Sequence, residues 1–172
     1  MGEYPLSIPD FSTLQEFFRR GSAFPKEVSA MKHVVTDEIV AIRLAEGDEV
    51  VEGIIQACKD GNVNAAVILG AAGMVRDITF AWFDGTQLVQ STAKGPFDIA
   101  SLGGSVSVRD QNLFVHMHGS MSGEDHVCLG GDIRKATSSP NLEVFLLPLR
   151  KVAFLRKMDG WLETLHPEVR GE

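Results

Sequence analysis

The chain has 172 residues, of which 44% are hydrophobic and 23% charged. That length holds one domain, or one domain with an appendage, and excludes two full catalytic domains; the apolar content excludes a disordered or fibrous chain. The formal net charge of −7 works against non-specific attraction to phosphate backbones. The longest charge-free stretch, ending at Val75, falls well short of the roughly 20 apolar residues that a membrane-spanning helix needs. Met1 to Pro5 show no basic region ahead of an apolar run, so a cytoplasmic protein is expected. Two cysteines, Cys58 and Cys128, cannot build a disulfide framework and are read as reduced.

Residues 1–30 read as an N-terminal arm. Pro5, Pro9 and Pro25 punctuate a short helical pattern over Ser12 to Arg20, with Leu14, Phe17 and Phe18 on one face and a capping box from Ser12/Gln15 or Thr13/Glu16. A clear helix follows between Asp48 and Lys59, where Val51, Ile54, Ile55 and Cys58 recur at i, i+3, i+4, i+7. Asp48 is its expected N-cap and Gly61 its expected left-handed residue. Cys58 lies on the apolar stripe and reads as a core thiol.

Strands are expected at residues 65–69, 77–83, 87–92, 97–108, 113–121, 127–133, 143–147 and 152–158. Ile78, Phe80 and Trp82 alternate with Thr79 and Ala81 as in a sheet with one face buried. Asp84-Gly85, Asp110-Gln111-Asn112 and Asp159-Gly160 are turn signals. This pattern predicts an α+β domain over 31–165, an antiparallel-rich sheet rolled around a core with one main helix packed on it, and a tail at 166–172. Neither a phosphate loop nor a βαβ alternation is present; Gly70, Gly73, Gly103 and Gly104 read as bends and close strand contacts.

The segment that carries chemistry runs from His116 to Asp132. On a strand, His116 and His118 project to one face while Val115 and Met117 project to the other. After an acidic turn the chain returns through Gly130-Gly131, which removes bulk just before Asp132 and brings a carboxylate toward the imidazole pair. Two imidazoles and one carboxylate suit zinc, iron(II), manganese or nickel and leave positions open for water or substrate. The alternative is one exposed and one packed histidine with no metal. His126 reads as a solvated turn residue or an additional ligand, and Cys128 as core filler. His33 and His166 read as surface histidines. Arg150, Lys151, Arg156 and Lys157 form a basic cluster that reads as a solvated face rather than a DNA patch, since no minor-groove arm accompanies it.

Several segments in order resemble the PPC (plant and prokaryote conserved) domain family. They are Ile42-Arg43-Leu44 ahead of Gly47 to Val50, Ala66 to Gly73, Gly95 to Ile99 leading into Ser101 to Ser105, His116-Met117-His118, Gly130-Gly131 and Glu143-Val144. The resemblance implies an α/β domain with a main antiparallel sheet, a homotrimer, and a fold similar to that of acetolactate decarboxylase, a zinc enzyme. Bacterial and archaeal members carry His-x-His followed by Gly-Gly-His. His116 and His118 match the first two positions, and Asp132 stands where the third histidine is expected. The implied cofactor is a divalent metal, zinc first among them. Glu143 matches a recurrent acidic position and is a candidate for orienting a ligand or acting as general base.

Three functions follow as expectations. The first is a homotrimeric metal-binding domain that binds or acts on a small molecule. The second is a DNA-associated protein, as the family's label suggests, although the net charge and the missing AT-hook weigh against it. The third is a non-catalytic assembly module docking through its arm.

Overall fold

A computed structural model describes residues 30–171. The arm helix expected at Ser12 to Arg20 lies outside the described residues. Within them the chain forms nine strands and one helix: β1 (Lys32–Val35), β2 (Val40–Leu44), α1 (Val50–Asp60), β3 (Ala66–Phe83), β4 (Leu88–Ala93), β5 (Phe97–Arg109), β6 (Asn112–Ser122), β7 (Cys128–Pro148), β8 (Val152–Asp159) and β9 (Leu162–Val169). All belong to one sheet in the order β1-β2-β7-β3-β5-β8-β9, with β4 added on β3 and β6 bridging β5 and β7. Because β3 pairs with both β5 and β7, and β6 pairs with the same two, these four strands close on themselves. The rolled, mostly antiparallel sheet with one helix is thus the architecture observed.

α1 forms where the sequence predicts it, one residue displaced at its start. The N-cap is Glu49, whose carboxylate accepts the Glu52 amide at 2.7 Å. Asp48 instead turns back and accepts the Ala45 amide at 2.8 Å. At the other end Gly61 has φ −90°, and the left-handed residue is Asn62 at φ 50°. Glycine is needed at 61 for a different reason: a Cβ there would lie 2.4 Å from Val35 Cγ1. The face that α1 buries comprises Val50, Gly53, Ile54, Ala57 and Cys58. It shares one core with Val40, Ile42 and Leu44 of β2, Ile68, Val75 and Ile78 of β3, Met117 and Met121 of β6, and Leu142, Val144 and Leu146 of β7.

Two strands run longer than the sequence pattern indicates. β3 joins the expected pieces at 65–69 and 77–83, and β7 joins 127–133 with 143–147. Both strands bend through register shifts, between Ile68 and Gly70, between Gly73 and Val75, and around Thr79. A bulge adds a residue and resets which face each side chain takes, so alternation is lost across it although pairing continues. Trp82 shows the same limit: it continues the alternation of Ile78 and Phe80 but lies beyond the core, 73% exposed. The residues read as a tail from 166 instead complete β9, which pairs with β8 from Asp159↔Leu162 to Val152↔Val169.

The β5–β6 connection is a two-residue turn. Asp110 (φ 48°) and Gln111 (φ 66°) both take left-handed backbone between the paired Arg109 and Asn112, as a two-residue type I′ turn requires. It fixes the register of β5 against β6, and therefore what stands opposite each histidine.

Candidate metal centre

Register places the centre. On β6, His118 stands opposite Gly103 of β5 on one side and Asp132 of β7 on the other, while His116 stands opposite Ser105. One residue along, Met117 is opposite Gly104 and Ile133, and these side chains enter the core: Met117 is 1% and Ile133 3% exposed. Period-2 alternation therefore turns His116, His118 and Asp132 to the outer face of the closed sheet. Gly104 permits the close approach of β5 here, since a Cβ on it would lie 2.1 Å from the carbonyl oxygen of His116.

The two imidazoles meet edge to face, with ring planes at 84° and Nε2 atoms 3.2 Å apart. His116 Nε2 lies 3.9 Å from Asp132 Oδ2, and one donor atom from each of the three residues falls within 4.8 Å of the others. Ligands held at about 2.0–2.1 Å around a tetrahedral ion are roughly 3.3 Å apart, so the imidazole pair already has ligand spacing. Asp132 Oδ1 is buried with no hydrogen-bond partner, while Oδ2 accepts from the Arg134 guanidinium. A buried carboxylate oxygen left without a donor is costly, and a cation beside it removes that cost. The donor set and its spacing fit a divalent metal held by two imidazoles and one carboxylate.

Electrostatics keep the His116 lone pair available. Burial pushes its pKa below the ordinary value, and the charges of Arg156 and Arg134 and the neighbouring His118 push the same way against the pull of Asp132. The neutral imidazole is the form that ligates metal.

The other candidates are elsewhere. Glu143 is not part of this group: it lies roughly 35 Å of strand contour from Asp132 at ~3.3 Å per residue, paired with Arg43 and lining a groove with Met31, Val34 and Phe145. His126 occupies the turn before β7 with φ 59° and lines a different depression beside Phe97 and Asp125. Cys128, expected in the core, is exposed at the start of β7 opposite Ser122, whereas Cys58 is buried and its thiol pushed up to about 11 by burial. His33 pairs with Asp60 at 3.2 Å, and His166 with Thr164 at 3.1 Å.

The basic cluster does not form one patch. Arg150 donates to the carbonyls of Gly61 and Asn62 at 3.0 Å, Lys157 pairs with Glu168, and Arg156 turns to the hydroxyls of Ser105 and Ser107. The sequence reading missed Arg134 and Arg156 as neighbours of the histidines. Arg134 was findable, two residues after Asp132 and so on the same face. Arg156 was not, because β8 reaches β5 only through a parallel pairing at Val108↔Leu155.

A family model described as the Plants and Prokaryotes Conserved (PCC) domain matches residues 31–150. The chain belongs to that family. Among solved structures, a protein from Archaeoglobus fulgidus named as metal-containing is 30% identical, with a TM-score of 0.63 over 81% of this chain and 93% of its own. A plant- and prokaryote-conserved (PPC) protein from Pyrococcus horikoshii is 25% identical, with a TM-score of 0.69 over 81% of this chain and 96% of its own. A protein from Ralstonia eutropha JMP134 that carries a provisional DNA-binding name is 18% identical, with a TM-score of 0.71 over 81% of this chain and 96% of its own, and shows the shared fold alone. No curated protein matches the chain. The PCC family model ends at Leu149-Arg150, so the β8–β9 hairpin that supplies Arg156 lies beyond it.

Proposed function

We propose that this PCC-domain protein is a divalent-metal protein, working as a homotrimer, that binds or acts on a small molecule at the outer face of its closed sheet. The observation that carries the reading is the convergence of one ring nitrogen each from His116 and His118 and an Asp132 carboxylate oxygen within 4.8 Å. Zinc is the preferred ion, since two imidazoles and a carboxylate form a common catalytic-type zinc set with a position left open. When bound there, such an ion polarises a carbonyl or lowers the pKa of water to about 7. The metal-containing name of the Archaeoglobus relative supports the same reading. Homotrimer assembly rests on the resemblance of the sequence segments to the family.

Elemental analysis of the purified chain tests the metal: the expected result is one ion per chain, lost in a His116→Ala/His118→Ala double variant that still folds. Metal-free wild-type protein that takes up no added zinc overturns it. Light scattering of the same samples reads the assembly, and intact trimers without metal would favour the assembly-module alternative.

DNA association is suggested by the names of two structural relatives. In this chain the net charge is −7, and Arg150, Arg156 and Lys157 are engaged in three separate contacts. No binding to duplex DNA is therefore expected even at low salt, where phosphate contacts are strongest.

A further inference from the structure

We propose that Arg156 forms an oxyanion subsite beside the His116–His118–Asp132 group, taking the carboxylate or phosphate of a small molecule whose remaining polar oxygen faces the imidazoles. This rests on the metal-site reading for the second oxygen, and on Arg156 alone for the first.

Among the described residues, the arginines around the centre differ in how their charge is met. Arg134 is paired with Asp132, and Arg109 with Glu163 at 3.6 Å. Arg156 has no carboxylate within ion-pair distance; its guanidinium donates to two neutral hydroxyls, Ser107 Oγ at 3.2 Å from Nε and Ser105 Oγ at 3.3 Å from Nη2. Asp132 thus offsets Arg134 and Glu163 offsets Arg109, which leaves Arg156 as the uncompensated charge on this face of a chain that is acidic as a whole. Partial burial, together with the like charges of Arg109 and Arg134, pushes its pKa below the ordinary value against the pull of Glu163. A guanidinium stays protonated under these conditions, so the strain is relieved by an anion and not by losing a proton.

The geometry suits a small forked anion. Ser105 and Ser107 hold Arg156 by two of its five N–H donors, and the remainder are free to address two oxygens at once. Its position next to the histidines is marked by Phe114: the Arg156 Cζ lies 5.4 Å from that ring's centroid, and the ring stacks toward His116 with centroids 6.5 Å apart. Ser105 and Ser107 are themselves the residues opposite His116 and Phe114 in the β5–β6 register. The same alternation that turns the imidazoles outward therefore sets the hydroxyls that anchor Arg156.

Calorimetric titration of the full chain tests the proposal, with pyruvate and inorganic phosphate as separate probes of the two oxyanions. Zinc affinity is measured independently by chromophoric competition. After chelator treatment, at least one probe is expected to bind wild-type protein in the millimolar range or better, and the tighter one assigns the class. Arg156→Gln is expected to weaken that binding tenfold or more while leaving zinc affinity within twofold. Arg156→Lys, which keeps the charge and loses the fork, is expected to weaken it at least threefold and decides the question if the glutamine variant does not fold. Zinc loading of wild-type protein is expected to tighten pyruvate at least threefold. The subsite is overturned if neither probe binds at 10 mM, or if a folded Arg156 variant binds as wild type does. Pyruvate affinity indifferent to bound zinc overturns its placement beside the histidines. Failure of wild-type protein to take zinc sinks the metal reading instead, and the metal-free titrations still judge Arg156.

Discussion

Gly130 and Gly131 are adjacent in sequence and equally short of a side chain, yet alanine at the two positions should have opposite consequences. A Cβ on Gly130 would lie 2.5 Å from the carbonyl oxygen of Gly119 and 3.1 Å from Ser120 Cα, both backbone atoms of the partner strand β6. Backbone cannot swing aside as a side chain can, so β6 and β7 must separate, at a cost of about 2–3 kcal/mol for overpacking of this kind. A Cβ on Gly131 would meet only Phe80 Cδ1 at 3.5 Å, an ordinary contact. Neither glycine has left-handed backbone. Gly131→Ala should therefore be neutral, or stabilising by up to about 0.5–1 kcal/mol through the lower entropy of the unfolded chain. The gap between the variants is about 2–4 kcal/mol, or roughly 5–12 °C in Tm for a protein of this size. Urea unfolding measures it. Because Gly119 follows His118 and Gly130 precedes Asp132 by two residues, zinc competition on the same proteins should show Gly130→Ala losing affinity at least tenfold while Gly131→Ala keeps it. Equal stabilities for the two variants would refute the β6–β7 register, and with it the placing of Asp132 opposite His118.

Other expectations follow from the thiols, the helix and the half-buried His116. In a native thiol titration at pH 8, Cys128 should react promptly and Cys58 only after unfolding, as their exposed and buried positions require. Burial raises the Cys58 thiol from 9.0 to about 11. Its neutral form is the native one, so stability should decline as pH rises from 9 to 11, by on the order of 2–3 kcal/mol at two pKa units, and the decline should be shallower in Cys58→Ala. Ile54→Ala, at a fully buried position of α1, should cost about 2–5 kcal/mol in denaturant unfolding; a loss below 1 kcal/mol would contradict the packing of α1 on the sheet. His116, with its pKa below the ordinary value, binds fewer protons folded than unfolded. Metal-free protein should therefore lose stability on acidification through pH 6.5 and below, and His116→Asn should flatten that part of the profile.

Much of the centre was legible because strand periodicity is local. His-x-His puts two imidazoles on one face whatever the neighbouring strands do, and the outward direction followed once Val115 and Met117 were the apolar alternates. The helix was equally plain in the stripe of Val51, Ile54, Ile55 and Cys58, although its cap shifted from Asp48 to Glu49, because Asp48 found a closer partner in the Ala45 amide. Cys128 was misplaced although the same period places it: four residues before Asp132 in unbroken register, it shares that residue's outer face, while its neighbour Leu129, opposite fully buried Met121, turns to the core.

What the sequence determined by itself is therefore the set of local periods: the helix, most strand segments, a turn at Asp110-Gln111-Asn112, and the shared face of His116 and His118. Tertiary structure decided what lies across from them. Strand pairing is a long-range choice set by register and bulges, so the fusion of β3 and of β7, the arrival of Asp132 beside His118, the exclusion of Glu143 and the reach of Arg156 over Ser105 and Ser107 all depend on which strands become neighbours. Local residue patterns carry no record of that choice, because the side chains that meet are separated by tens of residues and brought together only when the sheet closes.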